Sequence, residues 1–152
     1  MIKTKSLSRN APIHLFLIVS SLMLILVPYL NKAPSFNISE KTVHAAAQFL
    51  YLVDQEEYAK SWEVSSATLQ EMLPQTEWNE KIAQLRAMVG PLVERFQHQI
   101  AYADEVVGGP SARYVVVTFI SKFQLRERAK ETITLLLDEN NDQWLVAGYF
   151  LN

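Results

Sequence analysis

Ala112–Phe123, ARYVVVTFISKF, is the stretch that decides the fold. Its core, YVVVTFI, is β-branched and aromatic, the composition of a strand and a poor one for a helix. Apolar residues fall on both of its faces, which predicts an interior strand covered on each side rather than an edge. The glycine pair and proline Gly108-Gly109-Pro110 just before it form a turn, so the chain reverses there. Residues 92–106 therefore run back alongside it. Simple alternation would put Leu92, Phe96, Ile100 and Tyr102 on one face and Val93, Arg95, Gln97 and Gln99 on the other. On the C-terminal side, Glu131–Asp138 places Ile133, Leu135 and Leu137 on one face. Glu139-Asn140-Asn141-Asp142 then reads as a hairpin turn, and Trp144–Leu151 as a last strand.

The texture changes at Gly90-Pro91, which stops whatever precedes it: glycine supplies a left-handed turn and proline bars continuation. Upstream the period is helical. Ser39 is a plausible N-cap for a helix from Glu40 to about Asp54, with Val43, Ala46, Ala47, Leu50 and Val53 on one face. The helix is expected to break near Asp54-Gln55 and to resume as a short turn carrying Tyr58 and Trp62. A loop through Pro74 follows. Thr76 would then cap another helix, with Trp78, Ile82, Leu85 and Val89 lining its buried face. Helices first and a four-stranded antiparallel meander afterwards is an α+β pattern: two to three helices packed on a curved sheet.

Before this domain stands Ile13–Leu30, IHLFLIVSSLMLILVPYL, a run of eighteen residues without a Lys, Arg, Asp or Glu. As a helix it would reach about 27 Å, close to the hydrocarbon thickness of a bilayer. Lys3, Lys5 and Arg9 precede it, and no acidic residue occurs before Glu40. That asymmetry predicts a cytoplasmic N-terminus (1–12), a membrane span or signal (13–30), a linker (31–38) and an exported domain (39–152). The run is longer than the apolar core of a signal peptide, and Asn31-Lys32-Ala33-Pro34 is a poor cleavage site. An uncleaved anchor is the favoured reading, and release across the membrane after cleavage is the alternative.

Removing residues 1–33 leaves 10 Lys and Arg against 16 Asp and Glu, a net charge of −6. An acidic domain of this kind repels nucleic acid and anionic lipid. Cysteine is absent, so neither a disulfide nor a lipid-modified cysteine anchor is available.

With the elements placed, residues 44–152 resemble the bacterial domain-of-unknown-function family 4019. The features that carry the resemblance are AAAQFLYLVDQEEYAKSW (Ala45–Trp62), Glu77-Trp78, and Arg86 followed by GPLVER (Gly90–Arg95). They continue with GGPSARYVVVTFISKF (Gly108–Phe123) and ETITLLLDENNDQWLVAGYFLN (Glu131–Asn152). The resemblance implies a small exported or membrane-tethered protein with a cone-shaped fold similar to nuclear transport factor 2. It carries over no activity, ligand or catalytic residue. The long, poorly cleavable apolar segment departs from the family pattern.

Few side chains could carry chemistry. His98 would share the concave face with Phe96 and Ile100, where a histidine near Asp54 or Tyr58 could act as a general acid or base; a structural hydrogen bond is the plainer role. Asp54 faces the unfavourable end of a helix dipole and either turns to solvent or pairs with Arg86 or Arg95. Arg86 borders the apolar stripe, so its stem should pack while its head seeks a carboxylate. Arg95 could bind an anionic ligand in the cone, with a cross-strand ion pair as the default. Trp62, Trp78 and Trp144 with Tyr58 and Tyr149 could form an aromatic cage but suit a core better. His14, His44 and His98 lie on three unrelated elements, so no metal and no cofactor is expected. No cysteine, Gly-x-Ser-x-Gly or phosphate-cradling glycine loop supports nucleophilic catalysis. The sequence thus favours a non-enzymatic module that binds an envelope protein or small ligand. An isomerase- or dehydratase-like enzyme using His98, Asp54 and a tyrosine, or a structural homodimer stacked through sheet faces, are the alternatives.

Overall fold

The computed structural model describes residues 40–106 and 109–152. The run Ile13–Leu30, the linker 31–38, the cap Ser39, His14 and Gly108 lie outside the described residues. Among the described residues no helix is long and apolar enough to cross a membrane.

Four helices precede four strands: α1 (Glu40–Asp54), α2 (Tyr58–Glu63), α3 (Ala67–Met72), α4 (Gln75–Val89), then β1 (Leu92–Ala103), β2 (Tyr114–Phe123), β3 (Arg126–Asp138) and β4 (Gln143–Leu151). The strands form one antiparallel meander in the order β1-β2-β3-β4. The chain is thus α+β, with four helices on a four-stranded sheet. α3 replaces part of the expected loop: the Ser66 hydroxyl accepts the Leu69 N–H at 3.3 Å and caps it. Thr76 is not a cap. The first turn of α4 closes on Pro74, whose carbonyl accepts the Trp78 N–H at 2.9 Å, so Thr76 lies inside the helix.

The core forms where the apolar stripe of α1 meets the sheet. Ala46, Phe49, Leu50 and Val53 pack with Trp78 and Ile82 of α4 against Val115, Val117, Ile133, Leu135 and Val146. Phe49 stands edge-on to Trp78 and Tyr149, with ring centroids 6.0 and 5.5 Å away. β2 is interior in the sheet, as its composition demands, and Tyr114, Val116 and Thr118 on its other face are buried too.

Alternation fails in β1. Val93 and His98 are extra residues in the pairing with β2, since Leu92 and Glu94 face consecutive partners Phe123 and Lys122, as Gln97 and Gln99 face Phe119 and Thr118. One inserted residue reverses which side chains face inward. Arg95 therefore shares a face with Ile100 and Tyr102, while Phe96 and His98 are exposed. The expected inward row Leu92–Phe96–Ile100–Tyr102 is corrected accordingly.

The sheet's ends are pinned to the helices. Gly90 takes φ +74°, a left-handed conformation that ends α4, and a Cβ there would press to 3.2 Å of Leu125. The β2–β3 hairpin tip bonds to this corner, Gln124 N–H to Pro91 O and Leu125 N–H to Val89 O, both at 2.9 Å. On the other rim, Ser65 forms a parallel bridge with Val146, and the Ser66 N–H donates to the Val146 carbonyl at 2.8 Å.

Candidate functional site

The site begins where α1 stops. The Glu57 N–H reaches back to Leu52 O at 2.9 Å and the Glu56 N–H to Val53 O at 3.1 Å, the paired bonds of a Schellman C-cap. That motif needs a left-handed residue, usually glycine, and here Glu56 fills it with φ 61°. The turn leaves Asp54 at the helix end facing inward.

Asp54 meets two guanidinium groups. Arg95 of β1 donates from Nη1 to Oδ2 at 2.6 Å and from Nη2 to Oδ1 at 3.0 Å, while Arg86 Nη2 of α4 lies 3.1 Å from Oδ1. Arg95 also grips Glu131 of β3, from Nε to Oε2 at 2.6 Å and from Nη2 to Oε1 at 3.1 Å. Glu131 is fully buried and accepts two further hydrogen bonds, from the Ser121 hydroxyl and from the Tyr149 hydroxyl at 2.7 Å. Buried charges are costly unless paired and hydrogen-bonded, and this cluster meets both conditions. Two carboxylates and two guanidinium groups cancel. Burial works to lower the Arg95 pKa, but its hydrogen bonds to Asp54 and Glu131 outweigh that and raise it. Burial, then the Glu131 charge, pushes the Tyr149 hydroxyl well up, so it stays a proton donor.

Arg86 is 8 % exposed, and its guanidinium stacks 4.7 Å from the Phe123 ring centroid. It takes the inward position expected for Leu85, which is half-buried. Its Nη1 is buried without a hydrogen-bond partner among the described residues.

Outside the cluster opens a cleft of about 630 Å³ between the α1–α2 turn, α4 and the start of β1. Asp54 and Arg86 form its inner wall, and Tyr51, Gln55, Glu56 and Tyr58 its rim. The Tyr58 hydroxyl is pushed up by burial and by the Glu56 carboxylate, against the opposing pull of Arg86.

Of the residues singled out in the sequence, Asp54, Arg86 and Arg95 converge, and Tyr58 joins Asp54 and Arg86 at the cleft. His98 does not. It sits exposed in its bulge and lines no part of the cleft that Asp54 and Tyr58 share. Trp78 is a core residue whose Nε1 donates to Ser61 Oγ at 3.0 Å, and Trp62 and Trp144 pack at the core margin. Among the described residues no group of three His, Cys, Asp or Glu is placed to hold a metal. Sequence reasoning missed Glu131, Ser121 and Glu56. A signal existed for Glu131, which alternates in phase with Ile133, Leu135 and Leu137, a row it had to accompany inward.

The family model described as protein of unknown function (DUF4019) matches residues 45–149. A comparison with curated proteins gives no match. Among solved structures, a chain from Catenulispora acidiphila is similar at 8 % identity and TM-score 0.47, covering 74 % of this chain and 88 % of that one.

Proposed function

Since the chain belongs to the family described as protein of unknown function (DUF4019), we propose its role from its own residues: a non-enzymatic binding module of the bacterial envelope. In this proposal Ile13–Leu30 tethers it to the inner membrane with residues 39–152 outside the cytoplasm. The sheet and helices form a cone of the kind found in nuclear transport factor 2.

The observation that carries the proposal is the state of the buried ionisable groups. Asp54 is held by Arg86 and Arg95, and Glu131 by Arg95, Ser121 and Tyr149. A general acid or base must have a proton to exchange with a substrate in reach. Here both carboxylates are committed to protein partners, and His98 stands elsewhere. What remains is a preorganised wall beside an open cleft with polar tips on aromatic walls, which suits recognition rather than turnover.

Ala87 lines the cleft and is exposed, so Ala87→Trp should fill it without touching the core. A small-molecule panel screened by thermal unfolding should contain compounds that raise Tm of the parent by several degrees and leave Ala87→Trp unmoved. Compounds that shift both proteins equally would count against the cleft as the binding place.

A further inference from the structure

The acidic balance of the domain would repel an anionic surface if its charge were spread evenly. It is not. Lys122, Arg126, Arg128 and Lys130 put four cations into nine residues at the β2–β3 hairpin, against Glu127 and the facing Glu94. All six are exposed, and the four cations form no ion pair among the described residues. By contrast, Lys41 pairs with Asp142, Lys60 with Glu57 and Arg113 with Glu139, while Arg86 and Arg95 hold the buried carboxylates.

The opposite end of the sheet is acidic. Asp104, Glu105, Asp138, Glu139 and Asp142 gather there against Lys41 and Arg113. The 13 residues of β3 hold the two ends about 40 Å apart. Exposed charges are screened beyond about 8 Å at physiological salt, so a surface touching the hairpin meets its cations and not the distant acids.

Leu125 stands at the hairpin tip and is 71 % exposed. A single exposed leucine is ordinary. This one is held in place and has company. The Gln124 N–H bonds to Pro91 O and the Leu125 N–H to Val89 O, which fixes the tip against the end of α4. Met88 and Val93, one and two residues from those acceptors, are exposed as well. We propose that the β2–β3 hairpin docks on an anionic lipid bilayer, Leu125 entering the interfacial layer while Lys122, Arg126, Arg128 and Lys130 meet the headgroups. An acidic polypeptide or a nucleic acid offers the charge without an apolar layer beneath it, and the apolar tip decides for the bilayer.

The inference goes beyond the binding role of the cleft and uses the tether only to keep the domain near a membrane. Residues 31–39 can reach about 30 Å when extended, enough for the domain to tip over and lay the hairpin on the same bilayer. The cleft is lined by Gly90 and Pro91 at this corner, so docking brings it to the lipid surface.

The chain has no cysteine, so Gln124→Cys takes an environment-sensitive fluorophore beside the tip and Asn140→Cys takes one at the opposite turn. The full-length protein is reconstituted in nanodiscs of phosphatidylcholine with or without phosphatidylglycerol. Emission and quenching by spin-labelled lipid are read. The probe beside the tip should shift to the blue and be quenched only with phosphatidylglycerol, and the probe at the opposite turn should stay silent. Each cation near an anionic surface strengthens contact about fivefold, so Arg126→Gln with Arg128→Gln should lower the ratio of docked to free probe about 25-fold. Leu125→Asn should lower it too. These side chains are exposed, so the variants keep the core. An equal signal without phosphatidylglycerol, in the arginine double variant or at the opposite turn would overturn the proposal, as would silence in both lipids. A response to poly-glutamate in micelles with none to lipid, or indifference to Leu125→Asn, would reassign the hairpin to an acidic polypeptide and overturn it as well. Failure of the chain to enter the discs would overturn the tether instead, and the same probes read on added vesicles would then decide the hairpin.

Discussion

Glu131 joins three strands through one side chain, since it holds Arg95 of β1, Ser121 of β2 and Tyr149 of β4. Truncating it leaves three buried polar groups short of an acceptor. Glu131→Ala should cost about 3–5 kcal/mol, read from the urea midpoint, and Glu131→Gln distinctly less because its amide oxygen still accepts. Tyr149 gives the pH dependence. Unfolded, it releases its proton near pH 10.0, whereas the folded hydroxyl holds it to higher pH. Above pH 10 the unfolded chain therefore binds fewer protons than the native one, and stability falls as pH rises. Denaturation at pH 9 and 11 should show this fall, and Tyr149→Phe should reduce it. At this scale the sequence was partly legible. Asp54 and the two arginines announced themselves because a carboxylate at a helix end and an arginine beside an apolar stripe each need a partner. Glu131 was hidden by its charge, although its register with Ile133 and Leu135 pointed inward.

Among the elements, the local rules worked wherever the chain obeyed a single period. The bounds Glu40–Asp54 follow from one helical stripe, and the Gly90-Pro91 stop from backbone chemistry. They failed where one residue broke the count. His98 in its bulge carries no inward contact, so His98→Ala should change stability by less than about 0.5 kcal/mol. Deleting His98 removes the extra residue and leaves Arg95 opposite Ser121 and in phase with Ile100, so the inward row should survive and the variant should still fold. A cooperative urea transition of the deletion variant would check this. Likewise the first residues of β3, Arg126–Lys130, are charged except for Ala129, and only their pairing with β2 reveals a strand. At the end of α1, Glu56→Gly should stabilise the protein by about 1 kcal/mol, measured by the same midpoint, since the left-handed turn then carries no Cβ penalty.

At the scale of the molecule, α1 gives the domain a polarity. Its start is tied to the β3–β4 turn by the Lys41–Asp142 ion pair, and its end forms the cleft. Its 15 residues span about 22 Å. A chain entering at Glu40 thus holds the cleft at the far end of the helix, away from its point of attachment. If Ile13–Leu30 is the attachment, the full-length protein should sediment with membranes and resist extraction by carbonate, and removal of residues 1–33 should release it into the soluble fraction. A phosphatase fused after Asn152 should be active only outside the cytoplasm. Recovery of the intact chain from cytosol would sink the tether.

The two rims of the sheet have one more consequence. An ordered fibril needs each molecule to offer a neighbour a straight, regular row of amides and carbonyls. β1 is kinked twice, at Val93 and His98, and the Val146 carbonyl of β4 is already taken by Ser66. Crowded at high local density, such molecules can jostle side by side without zipping into a continuous ribbon.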